Sequence, residues 1–521
     1  EQPRALQSED AAFLEESTAR LAVNGMYDPL GWGESAQLLN GHSYEFHFGD
    51  ICSDDCEKGS TFADYADLQQ LKEFTTNGTS STVGALWAKY WVAIFRANTV
   101  LRNLPDSPLS DRIKDEFEGE ARFVRAFSYF TLVKIFGGVP LLEDPVSPAD
   151  INARNFDRAS IGEIYALIDS DLAFAVDHLP AKNSASPGRA NRGAAAAYLA
   201  RAYMYQIGTD NTNNHSWDEV LDITNRFING EYGSYALASN YATIFEEEGE
   251  NNIESIFEIQ AVDNGVDPFA RGDFIGAEWT IFRNPQFMGG WGFSTPTADL
   301  ANAFEFNDPR RPATTIAIGE YAYGVEMAVS ERNQTGYYAR KAIVNPELWI
   351  TDKGSGQNIR KFRYADILLM NAEAAYHTGN ATQAVQRLME IRDRASSSTF
   401  PKGFDPNDPG GYMATGYAPL DNSIIPTAGQ ALLDFIYLER RREFGIEQLR
   451  FWDLVRTGRY IDQIRSTYQN LQNPDDGNFA DRVADAALDR SITTGVINPI
   501  PLFPIPALDL DNWGIEQNPG Y

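Results

Sequence analysis

Residues 360–395 carry the pattern that decides the fold class. They read Arg360-Lys-Phe-Arg-Tyr-Ala-Asp-Ile-Leu-Leu-Met-Asn-Ala-Glu-Ala-Ala-Tyr-His377, then Thr378-Gly379-Asn380, then Ala381-Thr-Gln-Ala-Val-Gln-Arg-Leu-Met-Glu-Ile-Arg-Asp-Arg-Ala395. Apolar and small residues recur at helical spacing in both runs, and Gly379-Asn380 is typical of a turn between them. The pattern predicts two antiparallel helices, with Leu368 and Ala372 of the first facing Leu388 of the second.

The same scheme occurs earlier in the chain. Arg192–Ile207 contains the small residues Ala194–Ala197, and a helix led by Trp217 follows after a short turn. A small-residue helix followed by a Trp-led helix resembles a tetratricopeptide-like unit. The pairs do not recur at a constant period, so we predict a mainly α fold, an interrupted tetratricopeptide-like superhelix. Further helices are predicted over Ser8–Tyr27, Val83–Leu104, Glu116–Phe136, Ile161–His178, Leu432–Phe444 and Gln448–Arg456.

The helical pattern is interrupted between about residues 231 and 358. Glycine, asparagine, proline and aromatic residues dominate there, with only short strand-like runs such as Ile253–Ile259. A long irregular segment inside a compact chain usually carries function. We therefore predict a single unit over 1–521, with a helical scaffold over about 1–230 and 359–521 and a loop-rich ligand-binding insertion over about 231–358. Shorter irregular stretches are predicted over about 28–82 and 396–427.

The composition excludes several classes of protein. Hydrophobic residues make up 43% and aromatic residues 12% of the 521 positions, which is enough for a large core and argues against disorder. The net charge of −30 disfavours nucleic acids and other polyanionic ligands. No run of about 18 apolar residues is present, so no membrane-spanning segment is predicted. The chain begins at Glu1 without a signal-peptide pattern, which is typical of a mature or trimmed product.

Cysteine and acidic residues near position 50 raise the question of cross-links and metals. Cys52 and Cys56 are the only cysteines, and a short disulfide between them and two free thiols both remain open. His42 and His47 precede them, but the spacing matches no usual zinc site. A candidate calcium set, whose spacing misses the EF-hand pattern, consists of Asp50, Asp54, Asp55 and Glu57. No cofactor is predicted.

No catalytic pattern stands out in the sequence. There is no Gly-x-Ser-x-Gly elbow, no Walker loop, no dinucleotide fingerprint after a strand and no His-Glu-x-x-His. The 73 acidic residues include many pairs, but nothing singles out two of them for glycosidase chemistry. We interpret two pairs of charged residues, Glu439 with Arg442 and Glu120 with Arg125, as ion pairs along and between packed helices. The chain is therefore not expected to be an enzyme.

Aromatic residues outside the helical patterns are the candidates for holding a sugar. Sugars present apolar C–H faces and hydroxyl rims, so a binder needs exposed rings for stacking and polar groups for orientation. The candidate tryptophans are Trp32, Trp279, Trp291 and Trp349. Trp279 and Trp291 are favoured because they lie in the insertion, although a loop tryptophan is also often a plug beneath its loop. By contrast, the tryptophans expected in the core are Trp87, Trp91, Trp217 and Trp452.

Three polar residues complete the candidate site. Arg283 lies in the same segment as Trp279, and Asp54 and Asp55 follow the first predicted helix. The two carboxylates can accept hydrogen bonds from sugar hydroxyls. They are also typical of a helix cap or a turn, and that structural role is slightly favoured for them.

Four motifs in a fixed order resemble one protein family. They are Ala121-Arg-Phe-Val-Arg-Ala-Phe-Ser-Tyr-Phe130 with Phe136-Gly-Gly-Val-Pro-Leu141, the run Arg360–Ala375, Glu439-Arg-Arg-Arg-Glu-Phe444 with Arg450-Phe-Trp-Asp-Leu-Val-Arg456, and the tail Pro499-Ile-Pro-Leu-Phe-Pro-Ile-Pro506 closed by Gln517-Asn-Pro-Gly-Tyr521. Together they resemble the SusD/RagB family, surface-exposed glycan-capturing lipoproteins of Bacteroidetes. Because the prolines of the tail cannot continue a helix or a central strand, we expect the tail to pack against the helical scaffold.

The resemblance implies a function and a location. It implies a non-catalytic outer-membrane lipoprotein, anchored through a cysteine upstream of residue 1, that captures oligosaccharides and delivers them to a SusC-like TonB-dependent transporter. It also implies ligand sites built from loops, including the region after the first helix. The alternative is a peptide- or protein-binding partner of such a transporter, as in RagB-like members. The acidic charge favours a neutral glycan such as a β-glucan, with an anionic algal polymer such as alginate as the alternative.

Overall fold

The computed structural model describes residues 12–33, 44–146, 156–182, 186–261, 278–348, 355–471, 473–493 and 495–521, and for Glu278 and Trp279 the backbone alone. The helices before the insertion are α1 (Glu16–Gly31), α2 (Ala66–Lys72), α3 (Ser81–Asn103), α4 (Asp111–Phe136), α5 (Ile161–His178), α6 (Arg192–Gly208) and α7 (Trp217–Ile228). A π-helical turn, His47–Ile51, lies between α1 and α2.

The later helices are shorter, apart from three in the second half of the scaffold. They are α8 (Glu278–Arg283), α9 (Ala298–Ala303), α10 (Arg310–Thr314), α11 (Tyr364–His377), α12 (Ala381–Ser396), α13 (Gly429–Phe444), α14 (Arg450–Arg456), α15 (Tyr460–Thr467), α16 (Phe479–Asp489) and α17 (Ala507–Trp513).

Consecutive helices pack side by side. α3 lies on α4, α4 on α5, α5 on α6 and α6 on α7, and α7 then packs on α11, which packs on α12. The insertion thus interrupts the superhelix in sequence and not in space. The prediction of a mainly α, tetratricopeptide-like scaffold is confirmed. Capping boxes, in which Ser160 pairs with Glu163 and Ser216 with Glu219, start α5 and α7 at the predicted positions.

The strands are short and pair two by two in antiparallel fashion. The pairs are β1 (Cys56–Gly59) with β3 (Phe293–Pro296), β2 (Ser255–Ile259) with β8 (Ile359–Arg363), β4 (Thr315–Ala317) with β7 (Tyr337–Ala339), β5 (Tyr321–Ala322) with β6 (Val325–Glu326), and β9 (Ser491–Ile492) with β10 (Ile500–Pro501). The first two pairs join the insertion to the scaffold, because in each pair one strand belongs to the insertion and the other to the scaffold.

Some boundaries differ from the sequence prediction. The helix predicted over Ser8–Tyr27 is α1, Glu16–Gly31, and residues 1–11 lie outside the described ranges. The helix expected from Phe362 begins at Tyr364, because Phe362 pairs with Phe257 across β8 and β2. Seven short helices in the described ranges, α2, α8, α9, α10, α15, α16 and α17, were not predicted, since one to three turns carry too little periodicity to be recognised.

One large hydrophobic core runs through the described part of the molecule, and two small separate clusters, around Tyr241 and around Ile316, lie within the insertion. The large core contains residues from α1 to the C-terminal tail and also Phe257, Ile281 and Phe293 of the insertion. Trp87, Trp91 and Trp452 belong to it as expected, and Trp217 packs at its edge, stacked on His377 with ring centroids 4.3 Å apart. The shared core favours the prediction of a single unit, which remains a prediction.

Buried ion pairs connect the insertion to the scaffold. Arg310 of α10 contacts Glu439 over 2.6 Å and Glu443 over 3.1 Å, both on α13. Glu439 also pairs with Arg442 over 3.3 Å, as predicted. The other predicted pair, Glu120 with Arg125, does not form. Glu120 binds Arg20 and Arg189, whereas Arg125 binds Asp171 over 2.7 Å.

The proline-rich tail packs on the scaffold as expected. Leu502, Phe503 and Ile505 are fully buried, and Nδ2 of Asn518 donates to the carbonyl oxygens of Phe136 over 3.0 Å and of Phe503 over 2.7 Å. These bonds tie the end of the chain to the end of α4.

The cysteines are free and buried, so the disulfide alternative is wrong. Sγ of Cys52 donates to the carbonyl oxygen of His47 over 3.3 Å, and Cys56 lies 3.3 Å from Oγ of Ser294. Within the described ranges, no group of His, Cys, Asp and Glu side chains is arranged to hold a metal ion. In the same part of the chain, no helix has the length and apolar character needed to cross a bilayer.

Candidate ligand-binding site

Asp54 and Asp55 are buried partners of arginines. Arg450 contacts Asp54 through Nε over 2.8 Å and Nη2 over 2.9 Å, and Nε of Arg441 donates to Asp55 over 2.7 Å. Burial alone would raise the pKa of Asp54, but the charges of Arg450 and Arg441 outweigh it and hold the pKa well below its usual range. Both residues lie in the turn before β1, in agreement with the structural role that the sequence slightly favours. Their side chains are buried ion partners, so the alternative that they meet sugar hydroxyls is corrected.

Arg283 is likewise buried. Its Nη2 lies 3.4 Å from Oδ2 of Asp50, and its guanidinium lies 5.0 Å from the ring centre of Phe46. Asp50 also accepts the N–H of Gln448 over 2.7 Å, and burial raises the pKa of Asp50 to about 6 against the opposing charge of Arg283. Arg283 therefore braces three segments of chain from within, and its predicted role as a ligand contact is corrected.

Trp291 is half-buried and packs inward. Its ring meets the ring of Phe282 edge to face, with centroids 4.7 Å apart, and its backbone N–H donates to the carbonyl oxygen of Ile281 over 2.7 Å. This contact favours the plug beneath the loop over the stacking platform. The side chain of Trp279 and all of Trp349 lie outside the described residues.

Trp32 lies where α1 ends and is half-buried. Nζ of Lys89 donates to its carbonyl oxygen over 2.9 Å, and the guanidinium of Arg96 lies 5.5 Å from its ring centre. Burial lowers the pKa of Lys89 to about 7, with Glu45 acting in the opposite direction. Both cations belong to α3, so the position of Trp32 is fixed by the neighbouring helix.

Trp32 borders a cavity of about 320 Å³, which we call the Trp32 cleft. Its apolar lining comes from Leu30, Trp32, Phe257, Ile259, Ala261 and Ile359. Its polar lining comes from Asn24, Tyr27, Asp28, Arg189 and Gln260. The cleft therefore combines an aromatic ring and an apolar floor with converging amide, carboxylate and guanidinium groups, as in most small-ligand sites.

Contacts among the polar residues fix the shape of the Trp32 cleft. Arg96 donates to Asp28 over 2.7 Å and Arg189 donates to Asn24. The side-chain amides of Gln260 and Asn251 exchange two hydrogen bonds of 2.9 and 3.1 Å. These groups are oriented before any ligand arrives, which lowers the entropic cost of binding.

The sequence prediction includes Trp32, which stays a prediction, but not the residues that line the cleft around it. Arg189 follows a short turn before α6, and Gln260 follows β2, so neither lies near Trp32 in sequence. The one available signal was the strand-like run Ile253–Ile259, which becomes β2 and supplies Phe257 and Ile259 to the Trp32 cleft.

Comparison with known proteins gives the family. The model of the SusD family matches residues 318–521, and a second model, described as starch-binding associating with outer membrane, matches residues 37–204. The chain belongs to the SusD/RagB family. Among curated relatives of this SusD-like chain, SusD-like protein P38 of Formosa agariphila is 25% identical over 496 residues, or 88% of each chain. A SusD-like protein of Bacteroides ovatus is 24% identical over 77% of this chain and 70% of the relative.

Solved structures share the whole fold. Surface glycan-binding protein A of Bacteroides fluxus is 25% identical with a TM-score of 0.75, over 97% of this chain and 100% of the other. The protein of the same name from Bacteroides thetaiotaomicron, in complex with laminarihexaose, is 22% identical with a TM-score of 0.72, over 96% and 99%. These names describe binding proteins and not enzymes, in agreement with the prediction of a non-catalytic chain.

Proposed function

We propose that this SusD-like chain binds a neutral oligosaccharide, without changing it chemically, in the Trp32 cleft. The observation that carries the proposal is the position of Trp32, whose half-buried ring stands at the edge of an apolar floor rimmed by Asn24, Arg189 and Gln260. A sugar ring can stack its C–H face on such a platform while its hydroxyls bond to the rim.

A β-glucan is the glycan that we propose. Relatives of similar fold are named for laminarin and laminarihexaose, which are glucans without charge. The net charge of −30 acts against an anionic polymer such as alginate, which is the alternative. The two alternatives differ in salt dependence: screening should strengthen the binding of an anionic polymer and leave that of a neutral one nearly unchanged.

The partner and the location are proposed from what membership of the family implies. We propose that the chain sits at the outer membrane, held by a lipidated cysteine upstream of residue 1, and passes its oligosaccharide to a SusC-like TonB-dependent transporter. The description of the second family model, starch-binding associating with outer membrane, supports this location. Co-purification of the chain with such a transporter from outer membranes tests the partnership.

A peptide-binding function is the alternative, and strand addition to β2, which lines the Trp32 cleft, is one way in which a peptide would bind. Peptides often add a strand to an exposed sheet edge. Here the carbonyl oxygen of Ser255 accepts a hydrogen bond from Lys182 over 2.6 Å, and that of Glu258 accepts one from Gln260 over 3.2 Å. Because side chains already occupy these carbonyl groups, the edge is poorly suited to strand addition, which favours the glycan.

The test is calorimetric titration of laminarin into Trp32→Ala and Trp217→Ala. Trp217 is a matched control, a half-buried tryptophan that stacks on His377 and does not line the Trp32 cleft. We expect Trp32→Ala to weaken binding by roughly five- to 150-fold, if stacking of a sugar on one ring contributes as much as stacking of a base, about 1–3 kcal/mol. Equal affinity in Trp32→Ala and the unchanged chain, or binding of peptides and no glucan, would contradict the proposal.

A further inference from the structure

A second cavity, of about 270 Å³, adjoins the Trp32 cleft. Both cavities are lined by Pro187, Gly188, Arg189 and Phe257. We call Pro187–Arg189 the ridge, because this segment separates the two cavities. Phe257 contributes apolar surface to both, so the same strand supports the two spaces.

β2 and the residues after it run along both cavities. Ser255 and Glu258 line the second cavity, whereas Ile259 and Ala261 line the Trp32 cleft. An extended chain rises ~3.3 Å per residue, so the stretch 255–261 is ~20 Å long. The cavities therefore follow one another along a single element, an arrangement that suits a chain of linked units better than one small molecule.

A buried carboxylate fixes the ridge. Nη1 of Arg189 donates to Oε2 of Glu120 over 2.9 Å, and the hydroxyl of Tyr27 donates to the same oxygen over 2.8 Å. That hydroxyl in turn accepts the N–H of Ala190 over 3.1 Å. Because Glu120 belongs to α4 and Tyr27 to α1, the ridge is tied to two helices through one side chain.

Gly188 sets how closely the ridge approaches the cleft wall. Its φ of +78° lies in the left-handed region, and a Cβ there would clash with the side chain of Gln260. The backbone of the ridge thus lies directly against Gln260, whose amide is also fixed by Asn251. The separation between the two cavities is built into the packing.

The second cavity is more acidic than the Trp32 cleft. Carboxylates of Glu116, Glu120 and Glu258 line it together with the cation Arg189. Glu116 and Glu120 are paired with Arg20, and Glu120 also with Arg189, so the excess negative charge comes mainly from Glu258. The one lysine in its lining, Lys182, donates to the main-chain oxygens of Asn252 and Ser255, each over 2.6 Å. Carboxylate oxygens accept hydrogen bonds from hydroxyl groups and repel uronate or sulfate groups.

We propose that the second cavity is a further subsite for the glycan chain held in the Trp32 cleft, and that Glu120 is the residue that positions the ridge between the two subsites. This inference rests on the proposed function. It adds two properties: affinity rises when the chain is long enough to cross the ridge, and the unit beyond the ridge must be uncharged.

The first test fills the second cavity from its exposed side. Ala181 lines that cavity, does not line the Trp32 cleft and is exposed, so Ala181→Trp should fold normally. Affinities are measured by calorimetry for neutral β-glucan oligosaccharides from the disaccharide to the heptasaccharide. We expect the affinity of the unchanged chain to rise at least about tenfold along this series, and that of Ala181→Trp to stay near its disaccharide value.

The second test separates positioning from stability. Glu120→Gln keeps the shape of the side chain but removes the charge that holds Arg189, and Glu118→Gln, on the same helix and outside both cavities, is the control. We expect Glu120→Gln to reduce the ratio of heptasaccharide to disaccharide affinity several-fold, whereas Glu118→Gln leaves it unchanged. A lower melting temperature alone would not change this ratio.

The outcomes distinguish the inference from the proposed function. Absence of binding at every length contradicts both. If Trp32→Ala loses binding but the affinity of Ala181→Trp still rises with glycan length as in the unchanged chain, the second subsite is contradicted. The proposed binding of glycan in the Trp32 cleft is then retained. A tighter complex with uronic-acid oligosaccharides than with neutral ones of equal length would also overturn the inference.

Discussion

Asp50 lies on the π-helical turn His47–Ile51, where it accepts the N–H of Gln448 and faces Arg283. Burial raises its pKa from 3.8 to about 6. Between pH 3.8 and about 6, Asp50 is therefore protonated in the folded protein and ionised in the unfolded chain. Stability contributed by this group is therefore present at low pH and is lost as the pH rises from about 4 to about 6.

Replacing Asp50 with Asn should remove that dependence. The free energy of unfolding of Asp50→Asn minus that of the unchanged chain should increase as the pH rises from about 4 to about 6, by up to roughly 3 kcal/mol. Urea unfolding of both proteins at a series of pH values measures it. A difference that does not vary with pH would contradict the assignment.

Asp54 tests the corrected view of the acidic motif. Removing one partner of a buried ion pair leaves the other charge uncompensated, which costs about 3–5 kcal/mol. Asp54→Asn should therefore lose stability near the lower end of that range, because Arg450 is slightly exposed. Glucan affinity of the folded protein should not change. The exposed Asp115→Asn is the control for urea unfolding, and a stable Asp54→Asn that fails to bind glucan would restore the sugar-contact prediction.

Some residues of the candidate site could be predicted from the sequence, and others could not. Trp32 was recognised because it follows a helix and lies in an irregular stretch. The role of Asp54 was missed because its partner Arg450 is 396 positions away in the chain, and no local sequence pattern predicts such a contact. Gln260 and Arg189 reach the Trp32 cleft only through the packing of β2 and the ridge beside α1.

At the scale of elements, periodicity predicted the long helices well. α5 and α7 begin at the predicted residues, Ile161 and Trp217, since a serine before each helix and a glutamate three residues after that serine are local signals. The last two residues of β8, Phe362 and Arg363, were predicted as the start of α11, because a strand of five residues carries too little periodicity to be distinguished from a helix. The extended form of β8 depends on pairing with β2, a contact between distant segments.

The proline-rich tail yields a prediction for one element. Asn518→Ala removes both hydrogen bonds from Nδ2, leaving the carbonyl groups of Phe136 and Phe503 without that donor in a buried setting. Unsatisfied buried groups cost about 1–3 kcal/mol each, so we expect a loss of roughly 2 kcal/mol in urea unfolding. Asn512→Ala, an exposed asparagine in the same tail, is the control and should change stability little. Equal stability of the two variants would show that the tail is not held by Asn518.

At the scale of the molecule, scaffold and insertion share their interior. Val23 of α1, Phe257 and Phe293 of the insertion, Leu368 of α11 and Leu502 of the tail belong to one hydrophobic core. A chain of this length can divide into several domains. The shared core argues against a division here, since separating the insertion would expose apolar surface on both sides.

The buried charges make that prediction testable. Glu443 of α13 accepts hydrogen bonds from Arg310 of the insertion over 3.1 Å, from Arg363 of β8 over 3.1 Å and from Arg394 of α12. We expect one calorimetric unfolding transition for the whole chain. Glu443→Gln should move it to lower temperature without splitting it, with a loss of about 3–5 kcal/mol, because three arginines lose a shared partner.

Asp434→Asn provides the matched control, since Asp434 is an exposed carboxylate on the same helix, and its transition should stay in place. If insertion and scaffold were separate units, the charge removed at position 443 would loosen their contact and leave each fold intact. Two transitions would then appear, and limited proteolysis would release residues 231–358 from a scaffold that remains helical by circular dichroism. α7 and α11 pack directly on each other, although the insertion separates them in sequence. A scaffold that stays helical after the release of residues 231–358 would therefore contradict the one-unit prediction, and it would leave the superhelical packing of the scaffold unchanged.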